Sequence, residues 1–551
     1  MGKYLFYDIE VYNDYACIVF IDENNKEYLY EYPFSLGQIR RLIANKTLVA
    51  YNNHFYDDYM LNQILRGLPI KVLKKINDEV ISGDVDTRTQ LITLDVMKQI
   101  DVSQPSLKKI QANLGRNIHE TPVDFNVKTT TPEQRKLIVE YCKNDTRFMK
   151  EVFYMRNEYF TLKQKLIDDF NLSQGLIKYN NTTIVSKIFT APIRKKHDIS
   201  IRNDVVTPDE VLEFWRSHEQ YEKDGKYTGK VITEQYGCVI EWGWGGLHAV
   251  NKSQIKWENV KLADIEQMYP NTMIMRKSLG ANTRKYQELL AQRKQAKRDG
   301  NTLKSNALKL IANSTYGLLG NQYSSLYNKL EALSVCIWGQ QVIHELAMRL
   351  YNAGAIIVQV NTDGVAYQET GKDLQYVLDQ WEKDYEYKLE VDWADVMFQR
   401  DINNYIMVNG DKIKVKGGDV GRYHSTNPYG NCSRRIVDQA IVDYLVKSIS
   451  VEQTVKSCDN ILDFQMIIKC TSGYEAVTST GEVLQNVNRV YAVNSGWEIF
   501  QRHKELGNTR AFPNTSKRLI VTNDDPNINW SWLDYDWYID HINNKLSKWL
   551  D

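Results

Sequence analysis

The first residues in this chain that could do chemistry are carboxylates. "YLFYDIEVY" (Tyr4–Tyr12) alternates with period two, so Asp8 and Glu10 project from one face of a single strand and repel each other unless a cation lies between them. "VAYNNHFYDDYML" (Val49–Leu61) places Asn53, Tyr56 and Asp57 at a strand-to-helix junction, with Asp58 as a rival to Asp57. "EQRKLIVEYCKNDTRFMKEV" (Glu133–Val152) reads as a helix with Tyr141 and Asp145 on one face at i, i+4. A lone D-x-E is more often the polar face of an edge strand, but four acids with a helical tyrosine form a set. Phosphodiester hydrolysis needs an activated water and cover for the leaving oxygen, which two divalent ions about 3.5–4 Å apart supply. Such oxygen ligands suit Mg²⁺ or Mn²⁺.

A second set follows. "ENVKLADIEQMYPNTMIMRK" (Glu258–Lys277) reads as a strand that delivers Asp264 at its end and turns at Tyr269-Pro270 into a helix. "VQVNTDGVAY" (Val358–Tyr367) reads as two strands with Asp363 at the tip of their turn. Between them, "KYQELLAQRKQAKRDG" and "LKSNALKLIANSTYGLLG" form a helical hairpin across Asp299-Gly300. Arg293 and Lys297 stand at i, i+4 on the first helix; Lys309, Asn313 and Tyr316 stand at i, i+4, i+7 on the second. Facing stripes of cations would hold a triphosphate electrostatically, with the one ring beneath a base. The glycine-dense "YGCVIEWGWGGLHAV" (Tyr236–Val250) lets backbone approach a ligand between Gly243 and Gly246.

These patterns carry two resemblances. Residues 1 to about 165 resemble the DEDD 3′–5′ exonucleases, whose elements are D-x-E, N-x-x-(F/Y)-D and Y-x-x-x-D. The resemblance implies Asp8, Glu10, Asp57 and Asp145 as metal ligands, Tyr141 as the group orienting the attacking water, and Asn53 and Tyr56 as DNA contacts. "SLKKIQANLG" (Ser106–Gly115) resembles the helix found between the last two elements.

"KLIANSTYG" (Lys309–Gly317) resembles the K-x-x-x-N-S-x-Y-G of family B DNA polymerases, five letters expected by chance in roughly one of 10⁴ unrelated chains. "DIEQMYP" resembles that family's D-x-x-S-L-Y-P strand. This implies that Asp264 binds both catalytic metals, that the Ile265 carbonyl joins them, and that Tyr269 is the steric gate against a ribose 2′-OH. "RKQAK" resembles its triphosphate contacts, here Arg293 and Lys297 ahead of Lys309, with Asn313 and Tyr316 at the nucleotide. "GWGG" resembles its Y-x-G-G loop, implying Gly245 and Gly246 as DNA contacts, with Gly243 where the tyrosine would be. "VNTDGV" resembles its Y-x-D-T-D-S hairpin, with Asn361 at the first acid, Asp363 at the second and Gly364 at the serine. "NNYIMVNGDKIKVKGGDVGR" resembles its K-x-Y…K-G-x-E primer-binding element. Tyr405, Lys416, Gly417 and Asp419 fit, Arg422 follows, and Asn403 replaces the leading lysine, with Lys412 and Lys414 nearby.

The elements that must position these groups are spread over 551 residues, too many for one core and suited to two to four domains. The resemblances imply a multidomain α/β and α+β chain: an RNase H-like exonuclease domain at 1–165, the start of a polymerase and its palm at 166–275, fingers at 276–324, palm at 325–424, and a mostly helical thumb at 425–551. Lys plus Arg equals Asp plus Glu at 69 each, so no overall field attracts nucleic acid and any polyanion site is local. Basic patches are "RKQAKR" (Arg293–Arg298), "KIKVKGGDVGR" (Lys412–Arg422), "IRKK" (Ile193–Lys196) and "SRR" (Ser433–Arg435). Seven cysteines without a C-x-x-C pair suggest neither a zinc ribbon nor a disulfide framework. With no run of about 18 apolar residues and acids at the N-terminus, a cytoplasmic protein without a membrane segment is expected, in a bacterial host if phage-encoded.

Asp264 and Lys309 are 45 positions apart, and Asn313 and Asp363 are 50. These intervals leave no room for the extra segments of protein-primed relatives. The expectation is a phage-type, short-fingered DNA polymerase extending a nucleic-acid primer with dNTPs, with 3′–5′ proofreading. Its partners would be primer–template DNA, dNTPs and accessory proteins such as a helicase or single-strand binding protein, with help needed for strand displacement. The alternative is an exonuclease whose degenerate polymerase half serves as a DNA-binding platform.

Overall fold

The structure, a computed structural model, describes residues 3–99, 104–121, 123–156 and 158–550. The chain divides into two compact units. One comprises 1–180, 424–436 and 455–539; the other comprises 181–423, 437–454 and 540–551.

The first unit is built on five strands: β1 (Tyr4–Val11), β2 (Ala16–Asp22), β3 (Glu27–Glu31), β4 (Thr47–Ala50) and β5 (Thr93–Asp95), in the order β3-β2-β1-β4-β5. β1 pairs antiparallel with β2 but parallel with β4, and β4 is parallel to β5. Parallel neighbours need crossovers, and helices α1 (Leu36–Ile43), α2 (Asp57–Leu65) and α3 (Ile70–Ser82) lie within them. Leu5, Phe6, Tyr7 and Ile9 are all buried, so β1 is covered on both faces and lies centrally in the sheet.

After the short helix α4 (Leu107–Asn113), α5 (Pro132–Met155) packs on β1 and β2. Its start is strongly specified. The Thr131 hydroxyl accepts from the Gln134 N–H, the Gln134 side chain accepts from the Thr131 N–H, and Pro132 occupies the first turn.

The tail corrects a sequence expectation. Between the helices at Arg435–Lys447 and Val451–Ser457 and a closing helix at Tyr535–Leu550, the segment read as mostly helical forms two three-stranded sheets, one from 466–469, 487–497 and 519–521, the other from 474–478, 499–503 and 509–511. Its β-branched and aromatic runs, punctuated by Gly473, Gly481 and Gly507 at positive φ, outweigh the helical lead-in.

The second unit contains a nine-stranded sheet made of β6 (Lys230–Gln235), β7 (Cys238–Gly243), β8 (Gly246–Val250), β9 (Lys256–Ile265), β10 (Ile356–Asn361), β11 (Gly364–Gln368), β12 (Leu389–Asp401), β13 (Asn404–Asn409) and β14 (Lys412–Lys416). The order β14-β13-β12-β9-β11-β10-β8-β7-β6 puts β9, which carries Asp264, directly beside β11, which follows Asp363. Helices α6 (Met268–Met275), α7 (Thr283–Arg298), α8 (Thr302–Gly320) and α9 (Lys329–Asn352) complete the part that concerns the site. Ile337, Ile343, Leu346 and Leu350 of α9 join Ile357, Val360 and Val365 of the hairpin strands in one core, which fixes the height of the β10–β11 turn. Among the described residues no helix is long and apolar enough to cross a membrane.

One buried charge holds α4 in place within the first unit. Arg489 is fully buried, and its guanidinium donates to Gln465 Oε1 and to the carbonyls of Thr522, Ala112 and Arg116. Arg489→Met strands these acceptors and should lower the stability of the chain by about 3–5 kcal/mol. Urea denaturation would check this, and a shift below about 1 kcal/mol would show that the clamp is dispensable.

Candidate functional site

The N-terminal acids converge. Asp8 and Glu10 share a face of β1, Asp57 opens α2, and Asp145 looks in from α5. Burial and then the Asp145 charge push the Asp8 carboxyl up to about 7. Burial and then Asp8 raise Glu10 well above the usual carboxylate range, and the same two causes raise Asp57. Asp145 is raised by burial and pulled back by Lys108. These acids are therefore close enough to resist shared ionisation.

The structure separates Asp57 from Asp58. Asp58 accepts hydrogen bonds from Tyr7 Oη (2.6 Å), Asn53 Nδ2 (2.8 Å) and Thr93 Oγ1 (2.6 Å), and so belongs to the scaffold. Asp57 Oδ1 is buried with no partner. Asn53 is itself fully buried and spends its amide on Asp58 and Thr93, so it props up the acids and is not placed on a DNA-facing surface. Tyr56 donates its hydroxyl to Asn77 Oδ1 at 2.6 Å.

Lys108 of α4 was missed by sequence reasoning. Its ammonium bonds Asp145 Oδ1 and lies 4.4 Å from the centre of the Tyr141 ring. "SLKKIQANLG" signalled only a helix, and nothing in it showed which lysine would face the acids.

A set of mutually repelling acids around an unpartnered Asp57 oxygen fits divalent cations. Among the described residues, however, no three His, Cys, Asp or Glu side chains already stand as a ready ligand set, so an ion would have to draw these acids inward.

In the second unit Asp264 and Asp363 line one cavity of about 690 Å³. Register places Asp264 opposite Gly364, and the Ile265 N–H donates to the Asp363 carbonyl at 2.7 Å, tying the strand end to the turn. Each acid is raised mainly by partial burial. For Asp264 the Asp363 charge adds to this, while Lys414 opposes it; for Asp363 the opposing charge is Lys416.

Gly364 explains itself here. A Cβ at that position would stand 2.0 Å from Asp264 Oδ1, so the carboxylate fills the space a larger residue would take. Asn361 donates to the Ile402 carbonyl at 3.3 Å and adds no charge. Thr362 holds the turn at φ +59°, with its N–H on the Leu247 carbonyl and its hydroxyl 3.3 Å from His248 Nε2.

Cations wall the cavity on both sides: Arg293, Lys294 and Lys297 from α7, and Lys414 and Lys416 from β14. Tyr405 faces Lys416 in register and lines the same space. Glu266 and Lys294, 3.1 Å apart at the cavity wall, were not singled out from sequence, because their pairing joins positions 28 apart.

Other predicted residues lie outside this lining. Lys309 and Asn313 are exposed on α8. Tyr316 stacks on Tyr269, with ring centres 4.4 Å apart and 14° between planes, and the Tyr269 hydroxyl donates to the Gly245 carbonyl. Gly246 passes so close to Thr362 that a Cβ would come within 3.1 Å. Arg422 is engaged differently from the expected DNA contact: its Nε donates to the buried Asp438 at 3.0 Å, as does its own N–H at 2.8 Å. Gly417, at φ +116°, could not carry a Cβ without meeting the Asn403 carbonyl and the Asn404 side chain, while Asp419 pairs with Arg400 and Lys545.

The raised pKa values have a testable sign. An acid whose folded pKa lies above its unfolded value binds more protons when folded, so stability is full below about pH 4 and falls as pH rises toward the folded value, about 7 for Asp8. Without divalent ions Asp8→Asn should therefore stabilise the chain at pH 7.5 by about 1–2 kcal/mol, discounted for its half-buried position. It should also flatten the fall between about pH 4 and 7. Thermal unfolding across that range with a chelator would check this; a destabilised variant would contradict it.

Similarity to a known family agrees with the placement of the second cavity. Residues 264–378 match DNA polymerase family B. That span includes Asp264, Tyr269, Arg293, Lys297, Lys309, Tyr316 and Asp363, and ends before Tyr405 and Lys416. No curated protein matches the chain significantly. Among solved structures the chain is similar to the family B DNA polymerase from the hyperthermophilic archaeon Pyrobaculum calidifontis, at 13% identity over 100% of this chain and 78% of that one, with a TM-score of 0.46.

Proposed function

We propose that this protein is a template-directed DNA polymerase that extends a primer with dNTPs and carries a separate 3′–5′ exonuclease site among its N-terminal acids. The observation that carries the polymerase reading is the convergence of Asp264 and Asp363 on a cavity walled by Arg293, Lys297, Lys414 and Lys416, within a span similar to family B polymerases. In this reading the nine-stranded sheet is the palm and α7–α8 are the fingers.

Asp264, Asp363 and the Ile265 carbonyl would hold two Mg²⁺ or Mn²⁺ ions, whose chemistry is to neutralise phosphate charge and acidify the attacking hydroxyl. The chain's own groups position the reactants. Arg293, Lys294 and Lys297 grip the triphosphate so that the primer 3′-OH meets the α-phosphorus and pyrophosphate leaves. Tyr269, wedged between Tyr316 and Gly245, is a rigid ring suited to exclude a 2′-OH. Tyr405 and Lys416 face the primer strand. In the first unit Tyr141 orients a water, and Lys108 restrains Asp145.

A second reading, a nuclease with an inactive polymerase half, rests on Asn361, which is turned to a backbone carbonyl and supplies no charge. A labelled primer–template separates the two. The wild type should elongate the primer with dNTPs and shorten it without them. Asp363→Asn and Asp264→Asn should slow elongation by about a thousandfold, about 4 kcal/mol of lost transition-state stabilisation. Asp8→Ala should lose shortening and keep elongation. A wild type that only shortens primers, with either metal, would establish the second reading.

A further inference from the structure

A basic groove in the second unit, apart from the catalytic cavity, is not used by the proposed reaction. The segment 193–197 supplies Arg194, Lys195, Lys196 and His197, all exposed, and Lys277 faces them across a cleft of about 320 Å³. That volume is at the small end of ligand sites, with room for about one nucleotide. The acid in this stretch, Asp198, is directed to His218, 3.6 Å away. Among the described residues, no ion pair is found for the five basic side chains. A solvated surface usually mixes both signs, whereas this cleft concentrates one.

The groove is built, not incidental. Asn328, buried just ahead of α9, accepts from the Lys196 N–H at 3.2 Å and donates to the Arg194 carbonyl at 3.1 Å, tying the basic segment down at two backbone groups. Asn282, just ahead of α7, does the same earlier in the segment, exchanging hydrogen bonds with both backbone groups of Ala191.

Lys277 sits at φ +54° just past the end of α6, where the Ser278 N–H closes back on Met273 and the Lys277 N–H on Ile274. Glycine is the residue that position favours, and a lysine there costs about 1 kcal/mol. A strained position that retains a cation is a reason to look for what the cation binds.

Aromatic groups accompany the charge. The loop 321–328, which reaches the groove through Asn328, places the Tyr327 ring 5.7 Å from Lys195 Nζ and carries Tyr323, 89% exposed. Cations that track a backbone, with rings on which bases stack, are the recognition chemistry of single-stranded nucleic acid.

The location suggests which strand. Tyr269 opens α6 and Lys277 lies beyond its other end, about 12 Å further on. Tyr316, stacked on Tyr269, lies one turn before the end of α8, from which the loop 321–328 continues. The groove is thus where the helices carrying the tyrosine pair lead away from the insertion site. In a primer–template the template alone continues unpaired beyond that point. Resting on the polymerase reading above, we propose that Arg194, Lys195, Lys196 and Lys277 bind the phosphates of the single-stranded template a few nucleotides ahead of the insertion site, with Tyr323 offered to a base.

The test is binding, read by fluorescence anisotropy on the full chain at several salt concentrations. One labelled duplex is blunt and another has a 5′ template overhang of about eight nucleotides, within the range of single-strand site sizes. The wild type should bind the overhang duplex more tightly. Arg194→Glu with Lys196→Glu should remove most of that gain, about tenfold, and lower the salt slope by about 0.7 for each phosphate no longer neutralised, with blunt-duplex affinity within about twofold of wild type.

Lys277→Gly guards against a folding artefact, because it removes the charge while relieving the backbone, and it should reduce overhang binding in a chain at least as stable as wild type. Equal losses on both duplexes, or no loss on either, would overturn the proposal. Because the readout is binding without dNTPs, a wild type that fails to extend primers sinks the polymerase reading and is seen separately from the groove's result.

Discussion

The hydrogen bond from the Ile265 N–H to the Asp363 carbonyl is the constraint on which the central site depends. It locks the end of β9 to the tip of the β10–β11 turn, so two carboxylates 99 positions apart in sequence open into the same cavity. Everything nearby accommodates that closeness. Gly364 leaves room for the Asp264 carboxylate, Gly246 leaves room for Thr362, and Thr362 accepts a left-handed backbone to turn the chain. Partial burial raises the proton affinity of both acids, the Asp363 charge adds to this at Asp264, and the lysines of β14 offset part of the penalty.

The same economy governs charge across the chain. Its formal net charge is zero, yet the cavity is flanked by cations from two unrelated elements, α7 and β14. Electrostatic attraction for a polyanion is therefore local, created by topology and not by composition. The N-terminal acids show the converse arrangement: a buried carboxylate cluster in which Lys108 supplies a positive charge, on a helix that Arg489 clamps from the tail.

Much of this was legible in the sequence wherever local spacing and geometry coincide. Period-two alternation put Asp8 and Glu10 on one face, and a strand–turn–strand pattern placed Asp363 at a tip, because both follow from backbone geometry within a few residues. The α7–α8 hairpin was legible from its turn at Asp299-Gly300, but its facing was not: Arg293 and Lys297 line the cavity, whereas Lys309 and Asn313 do not. Long-range pairings left no local trace. Arg422 is matched in sequence to a DNA-binding element but is committed to Asp438, and Lys108 reaches Asp145 across 37 positions. The tail sheets were hidden behind a helical lead-in, since the hydrophobic period changes only after Cys458. Asn53 shows the subtlest case: its place in a motif was readable, but its full burial against Asp58 came only with the third dimension.

The proposed polymerase reading requires Asp264 and Asp363 to act on the same divalent ions. The most direct measurement is a double-mutant cycle of Mn²⁺ affinity, read by electron paramagnetic resonance with a non-hydrolysable dNTP and primer–template bound. If the two carboxylates share ions, Asp264→Asn and Asp363→Asn each lose most of the tight binding, and the double variant loses little more than either. Losses that simply add, with each substitution removing an ion the other leaves untouched, would contradict it.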